Sequence, residues 1–249
     1  MTKMKSEQIF GLHAVRQVFE NDSSRVIELW MQQGRDDAKL QTLLNQAKRQ
    51  GIAIQTVPKK TLNKLTENGN HQGIMIRYKA HPTKTQTTLE EIIASLTVPP
   101  FLLVLDDVQD PHNLGACLRT ADAAGVHALI VPKNQACKLS AIVHKVASGA
   151  SNTVPLIQVT NLARTLHWLK NQGVWLVGAD ENSQTSIFET SLTGSLAYVL
   201  GAEGEGLRRL TRETCDVLVR IPMLGIVQSL NVSVAAGICM YEAVRQRTK

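Results

Sequence analysis

Aromatic side chains are scarce in this chain, with three Trp, three Tyr and four Phe making up 4%. A stacking platform for single-stranded RNA is therefore not evident. Cysteine is equally thin. Cys117, Cys137, Cys215 and Cys239 are widely spaced and form no Cys-x-x-Cys pair, which argues against a zinc site or a disulfide framework. Each is expected to sit reduced on a core face. No apolar run approaches the roughly 18 residues of a membrane span, and Met1-Thr2-Lys3-Met4-Lys5 lacks the apolar core of a signal peptide. The expectation is a cytoplasmic protein with no membrane partner. Nucleotide fingerprints are missing too. No Gly-Lys-Ser/Thr follows the glycine-rich stretch 201–206, and its glycine spacing is not that of a dinucleotide site, so a nicotinamide-dependent dehydrogenase is excluded. Neither a Ser-His-Asp spacing signature nor His-Glu-x-x-His occurs. His112 and His144 have no partner at metal-ligand spacing, and no metal is expected.

What is present reads as a packed α/β protein of one large or two smaller domains, 249 residues long and 43% hydrophobic. The net charge of +6 is unevenly placed: residues 1–79 hold 13 Lys/Arg against 7 Asp/Glu, and residues 80–249 hold 14 of each. A basic module that meets a polyanion, beside a neutral module, fits this asymmetry, although ordinary solubility charge would also produce it. In the first 78 residues, Ile9, Leu12, Val15 and Phe19 share one helical face and Leu40, Leu43, Leu44 and Ala47 another. Strands are predicted at 26–31, 52–57 and 73–78. Residues 79–98 form a linker containing a short helix at 89–96. Over 99–249, strands at 101–105, 128–132, 174–179, 196–200 and 217–221 alternate with helices at 113–124, 140–148, 161–172, 207–214 and 231–247. That alternation predicts a parallel sheet covered on both faces, with ligands at the carboxyl ends of its strands.

Three loops at strand ends stand out. Gly201-Ala202-Glu203-Gly204-Glu205-Gly206 follows an apolar strand, a layout that brings backbone amides close to a ligand. Asn113-Leu114-Gly115 precedes Arg119, and Ser229-Leu230-Asn231 precedes a long apolar helix. Local spacing leaves their roles open. Asn113, Glu203, Ser229 and Asn231 all have simple capping alternatives, and Arg119 reads equally as a solvated charge, a residue bordering a buried face or a subunit contact.

Taken together and in order, these segments resemble the SpoU family of RNA ribose 2′-O-methyltransferases, within the SPOUT superfamily. The resemblance is carried by Asn113-Leu114-Gly115-Ala116-Cys117-Leu118-Arg119-Thr120-Ala121, by Leu200-Gly201-Ala202-Glu203-Gly204-Glu205-Gly206-Leu207 continuing to Arg220-Ile221-Pro222-Met223, and by Ser229-Leu230-Asn231-Val232-Ser233-Val234-Ala235-Ala236-Gly237. The first 78 residues, from Phe10-Gly11-Leu12-His13-Ala14-Val15 to His71-Gln72-Gly73, also resemble the family's L30e-like substrate-binding domain. Two departures are visible. Ala236 stands where a hydroxyl residue is often found, and Ile226-Val227-Gln228 is more apolar than the small-residue loop usual there.

The resemblance implies a trefoil-knotted α/β methyltransferase domain, a topology that periodicity would not predict because unknotted chains are the strong default. It implies a homodimer that binds S-adenosylmethionine, with Gly201, Ile221 and Leu230 as cofactor contacts. Asn113, Arg119, Glu203, Ser229 and Asn231 are the implied catalytic set. An arginine side chain stays protonated in proteins, so Arg119, contributed by the partner subunit, is expected to stabilise a developing alkoxide rather than act as a base. The implied substrate is 23S rRNA, at a guanosine ribose in the peptidyl-transferase loop, free or in a large-subunit assembly intermediate. Alternatives are a tRNA ribose and a non-catalytic RNA-binding assembly factor. His13, Arg16, Lys59 and Lys60 are the candidate RNA contacts.

Overall fold

The computed structural model describes residues 6–35, 38–79, 84–202 and 204–248. The chain divides into two compact units, residues 1–82 and 83–249.

The first unit runs β1 (Ser6–Phe10), α1 (Leu12–Asn21), β2 (Val26–Gln32), α2 (Ala38–Arg49), β3 (Ala53–Val57), α3 (Lys59–Leu65) and β4 (Ile74–Lys79). Its sheet has the order β1-β4-β2-β3, with β2 and β3 parallel and the other pairings antiparallel. Val15 and Phe19 of α1 and Leu40, Leu43, Leu44 and Ala47 of α2 are buried, so both predicted helical faces enter the core. Ile9 is a correction. It lies in β1 opposite Ile76 rather than on the helix. Gly11 separates the two elements at φ 94°, a conformation that L side chains rarely adopt.

The second unit runs α4 (Gln86–Ser95), β5 (Phe101–Leu105), α5 (Pro111–Ala123), β6 (Ala128–Pro132), α6 (Ala141–Ala147), α7 (Ala150–Thr153), β7 (Leu156–Val159), α8 (Leu162–Asn171), β8 (Trp175–Ala179), β9 (Leu196–Leu200), α9 (Arg209–Thr214), β10 (Val217–Val219) and α10 (Val232–Arg247). All six strands are parallel, in the order β10-β8-β9-β5-β6-β7. β5 is buried along its whole length and shows why near-continuous apolar strands mark such a sheet. Phe101, Leu103 and Leu105 enter the core under α5, α6 and α10. Leu102 and Val104 enter the opposite core under α4 and α8. Cys117 and Cys239 are buried, and Cys137 and Cys215 pack half-buried against these two cores.

Neighbouring β5 and β9 lead off in opposite directions, β5 through α5 to β6 and β9 through α9 to β10. In an open parallel sheet such a reversal opens a crevice at the carboxyl ends of the strands.

Candidate active site

At the carboxyl ends of β8, β9 and β10 lies a cavity of about 190 Å³. The loop after β9 forms one wall. Its neck is closed by reciprocal backbone bonds between Ala202 and Gly206, at 3.1 and 3.0 Å. Gly201 must be glycine, because a Cβ there would stand 2.0 Å from the carbonyl carbon and oxygen of Gly206. Gly204 and Gly206 take φ of 82° and 67°, the left-handed region that favours glycine. The loop's residue types are thus dictated by a tight backbone turn that presents main chain to the cavity.

The floor is apolar, built from Leu200, Val219, Ile221, Leu230 and Ala235, and Ser229 lines it from an exposed position. The rim is acidic. Among the described residues, Asp180, Glu181 and Glu205 line the cavity against a single cation, Arg212, which Asp180 holds through its Nε at 2.8 Å. Three carboxylates facing one paired guanidinium disfavour a phosphate and suit a ligand carrying positive charge. An apolar floor for a heterocycle, main chain along one wall and a negative rim fit the adenine and sulfonium of S-adenosylmethionine. They do not fit a dinucleotide.

Beside the cavity, α10 begins at Asn231. Its Oδ1 accepts from the Ser233 amide at 3.0 Å and the Ser233 hydroxyl at 2.6 Å, so the capping role open from sequence is real. The same amide also works outward. With Oδ1 committed, Nδ2 donates to Asn113 Oδ1 at 2.9 Å. Asn113 itself is not the cap of α5. That place belongs to Asp110, whose side chain accepts from His112 N at 3.0 Å, with Pro111 at the first helical position. The helix therefore starts two residues before the predicted 113, and the capping alternative for Asn113 is corrected. The hydrogen bond joins two residues 118 positions apart, from the first and third motifs.

Arg119 is exposed on α5 and does not line the cavity. Among the described residues no hydrogen bond or ion pair engages its guanidinium. Glu203 lies outside the described residues. Gly201, Ile221, Ser229 and Leu230 are therefore gathered at one cavity and Asn113 with Asn231 at its side, while one chain does not bring Arg119 to either. In the first unit, His13 and Arg16 line a cavity between α1 and α2. Lys59 and Lys60 stand exposed at the start of α3 and do not line it. Arg16 Nε pairs with Glu20 at 3.0 Å on the surface.

Sequence reasoning missed Asp180, Arg212, Asp106 and Arg208. Asp106 and Asp180 carried a legible signal, a carboxylate directly after an apolar parallel strand. Among the described residues no group of three or more His, Cys, Asp or Glu could hold a metal ion, and no helix is long and apolar enough to cross a membrane.

The 23S rRNA (guanosine-2'-O-)-methyltransferase RlmB of Vibrio vulnificus (strain CMCP6) is 52% identical over 244 residues, covering 98% of each chain. That of Shewanella oneidensis is 54% identical over 243 residues, again covering 98% of each. The crystal structure of the SpoU methyltransferase AviRb from Streptomyces viridochromogenes, in complex with the cofactor AdoMet, shares the fold with a TM-score of 0.67. It is 24% identical, over 98% of this chain and 91% of that one. Residues 8–83 match the model for RNA 2'-O ribose methyltransferase substrate binding. Residues 100–241, more than half the chain, match the model of the SpoU rRNA methylase family, and to that family the chain belongs.

Proposed function

We infer that this protein transfers a methyl group from S-adenosylmethionine to a guanosine ribose 2′-hydroxyl of 23S rRNA, the reaction named for relatives that match it along 98% of its length. The observation that carries the reading is the acidic-rimmed, glycine-walled cavity with the Asn113–Asn231 pair beside it. Gly201, Ile221 and Leu230 are the cofactor contacts, and Ser229, lining the same cavity, belongs with the catalytic residues. Bound S-adenosylmethionine supplies an electrophilic methyl group. Asn113 and Asn231 hold the ribose edge in place, and Glu203 orients the acceptor. The fork of Arg119 stabilises negative charge growing on the 2′-oxygen. Alignment of this kind is worth about 7–11 kcal/mol in favourable cases.

A single copy leaves that last role unfilled, which supports a homodimer in which the partner lends its arginine. The exposed side chains agree. Leu224 and Ile226 are fully exposed, and Val234 and Tyr241 of α10 are half exposed, a helix apolar on more than one face being one that expects cover. The trefoil threading of the family is part of the same reading, supported by the two loops, 201–207 and 221–230, that wall one cavity. Residues 1–78 grip rRNA phosphates through His13, Arg16, Lys59 and Lys60, a term that should weaken steeply with salt, and 79–98 link them to the methyltransferase domain over 99–249. The acceptor is a guanosine of the peptidyl-transferase loop, met in the cytoplasm on rRNA or an assembly intermediate. Calorimetry with S-adenosylmethionine and transfer of labelled methyl to 23S rRNA but not tRNA are the expected results. Labelled tRNA with unlabelled rRNA would overturn the substrate assignment.

A further inference from the structure

Where β5 and β9 part company, Asp106 meets Arg208. Asp106 directly follows β5 and is fully buried. Its Oδ2 accepts from the backbone N–H of Arg208 at 3.0 Å and its Oδ1 from Arg208 Nε at 2.8 Å, while the Arg208 terminal nitrogen donates to the same Oδ1 and, at 3.3 Å, to the Asp106 carbonyl. Main chain and side chain of one residue thus clamp one carboxylate. The guanidinium's remaining arm donates to Gln135 Oε1, on the loop after β6. That loop is tied back through Val108 N to Gln135 O at 3.0 Å and Cys137 N to Val108 O at 2.9 Å. The network uses neither Asn113 nor Arg119, nor any residue of the cavity floor.

Its placement says what it controls. Arg208 stands two residues after Gly206, at the base of the glycine loop. Three of that loop's six residues are glycine, and α9 after it is only six residues long. Leu207 packs against the core under α8, and the clamp on Asp106 fixes the next residue of the loop's outgoing leg. Asp106 also lies five residues before α5, which carries Asn113. Arg208 therefore joins the base of the glycine loop to the strand end from which the acceptor-side helix departs.

Resting on the cofactor reading of the cavity, we propose that Arg208, paired with Asp106 and braced by Gln135, is a positioning residue that sets the glycine loop for S-adenosylmethionine and holds it in register with Asn113. A lysine in its place keeps the charge that Asp106 needs but loses the planar fork, so Arg208→Lys leaves a folded protein with a loosened wall. The test is steady-state kinetics of the full-length protein with 23S rRNA, backed by calorimetry with S-adenosylmethionine alone. Arg208→Lys should raise KM for the cofactor about tenfold while kcat stays within about twofold, and Gln135→Leu, which removes only the brace, should raise it about threefold. A merely structural role predicts the opposite split, a lower active fraction that reduces kcat and leaves the cofactor KM in place. That result would overturn the proposal, as would unchanged kinetics in Arg208→Lys. Should the wild-type protein itself give no heat with S-adenosylmethionine, the cofactor reading falls and takes this role with it.

Discussion

Asn231 uses both ends of one amide, capping α10 with its oxygen and holding Asn113 with its nitrogen. The two uses can be separated. Asn231→Asp keeps the cap and faces Asn113 Oδ1 with an oxygen, so it should melt near the wild-type temperature while losing about 100-fold or more in kcat, an estimate on the scale of one lost positioning group. Asn231→Ala should lose activity and also about 1 kcal/mol of stability. Thermal melts beside turnover check both, and an active Asp variant would remove the pair from the mechanism. His71 gives a pH signature unrelated to catalysis. Its Nδ1 accepts from Gly73 N at 2.9 Å and its Nε2 meets Asn63 Oδ1 at 2.8 Å. Burial, reinforced by Lys59 and Arg35, lowers its pKa from 6.5, and burial lowers that of His127 as well. The unfolded chain therefore takes up protons first as pH falls. The stabilisation is whole above pH 6.5 and is lost below it. Melting temperature should drop on going from about pH 7.5 to 5.5 and drop less in His71→Gln. A flat profile would contradict the assignment. At this scale the sequence singled out both asparagines but left their roles open, because a cap and a tertiary contact look alike until the fold joins residues 113 and 231.

Two glycines tie these residues to whole elements. At Gly115 a Cβ would stand 2.7 Å from Val146 Cβ and 3.0 Å from Val143 O, so α5 and α6 touch there without a side chain between them. Gly115→Ala should cost about 1–3 kcal/mol by forcing the helices apart, readable as a shift in denaturant midpoint. Gly201→Ala meets backbone instead. It should abolish calorimetric binding of S-adenosylmethionine while the far-ultraviolet circular dichroism is kept, and retained binding would show that the loop does not form the wall. Most elements were legible. The five strands expected over 99–249 all occur, since fully buried parallel strands announce themselves as apolar runs. β7, only four residues and interrupted by Gln158, did not, and α3 was hidden because its lysines and asparagine leave only Leu62 buried. Helix starts moved by one to three residues, as where Asp110 caps α5 and Thr85 precedes α4.

For the whole molecule, two properties lie beyond local pattern. The trefoil threading has no periodicity to betray it and entered only through the family resemblance, and the Asp106–Arg208 clamp pairs residues 102 positions apart. The apolar surface was half legible, since Ile226-Val227 already stood out as unusually apolar, and both residues are exposed in the single chain. If they face a second copy, Ile226→Glu combined with Tyr241→Glu should yield monomers by sedimentation and lose methyl transfer while S-adenosylmethionine still binds. An active monomer would refute the shared arginine. Deleting residues 1–78 should likewise spare cofactor binding and end rRNA methylation. The most direct measurement is a mass-spectrometric map of 23S rRNA from cells lacking this protein, taken before and after incubation with the purified chain and S-adenosylmethionine. One new methyl on the ribose of a single guanosine is the predicted result. An unchanged map, or a methyl carried on a base, would contradict the account.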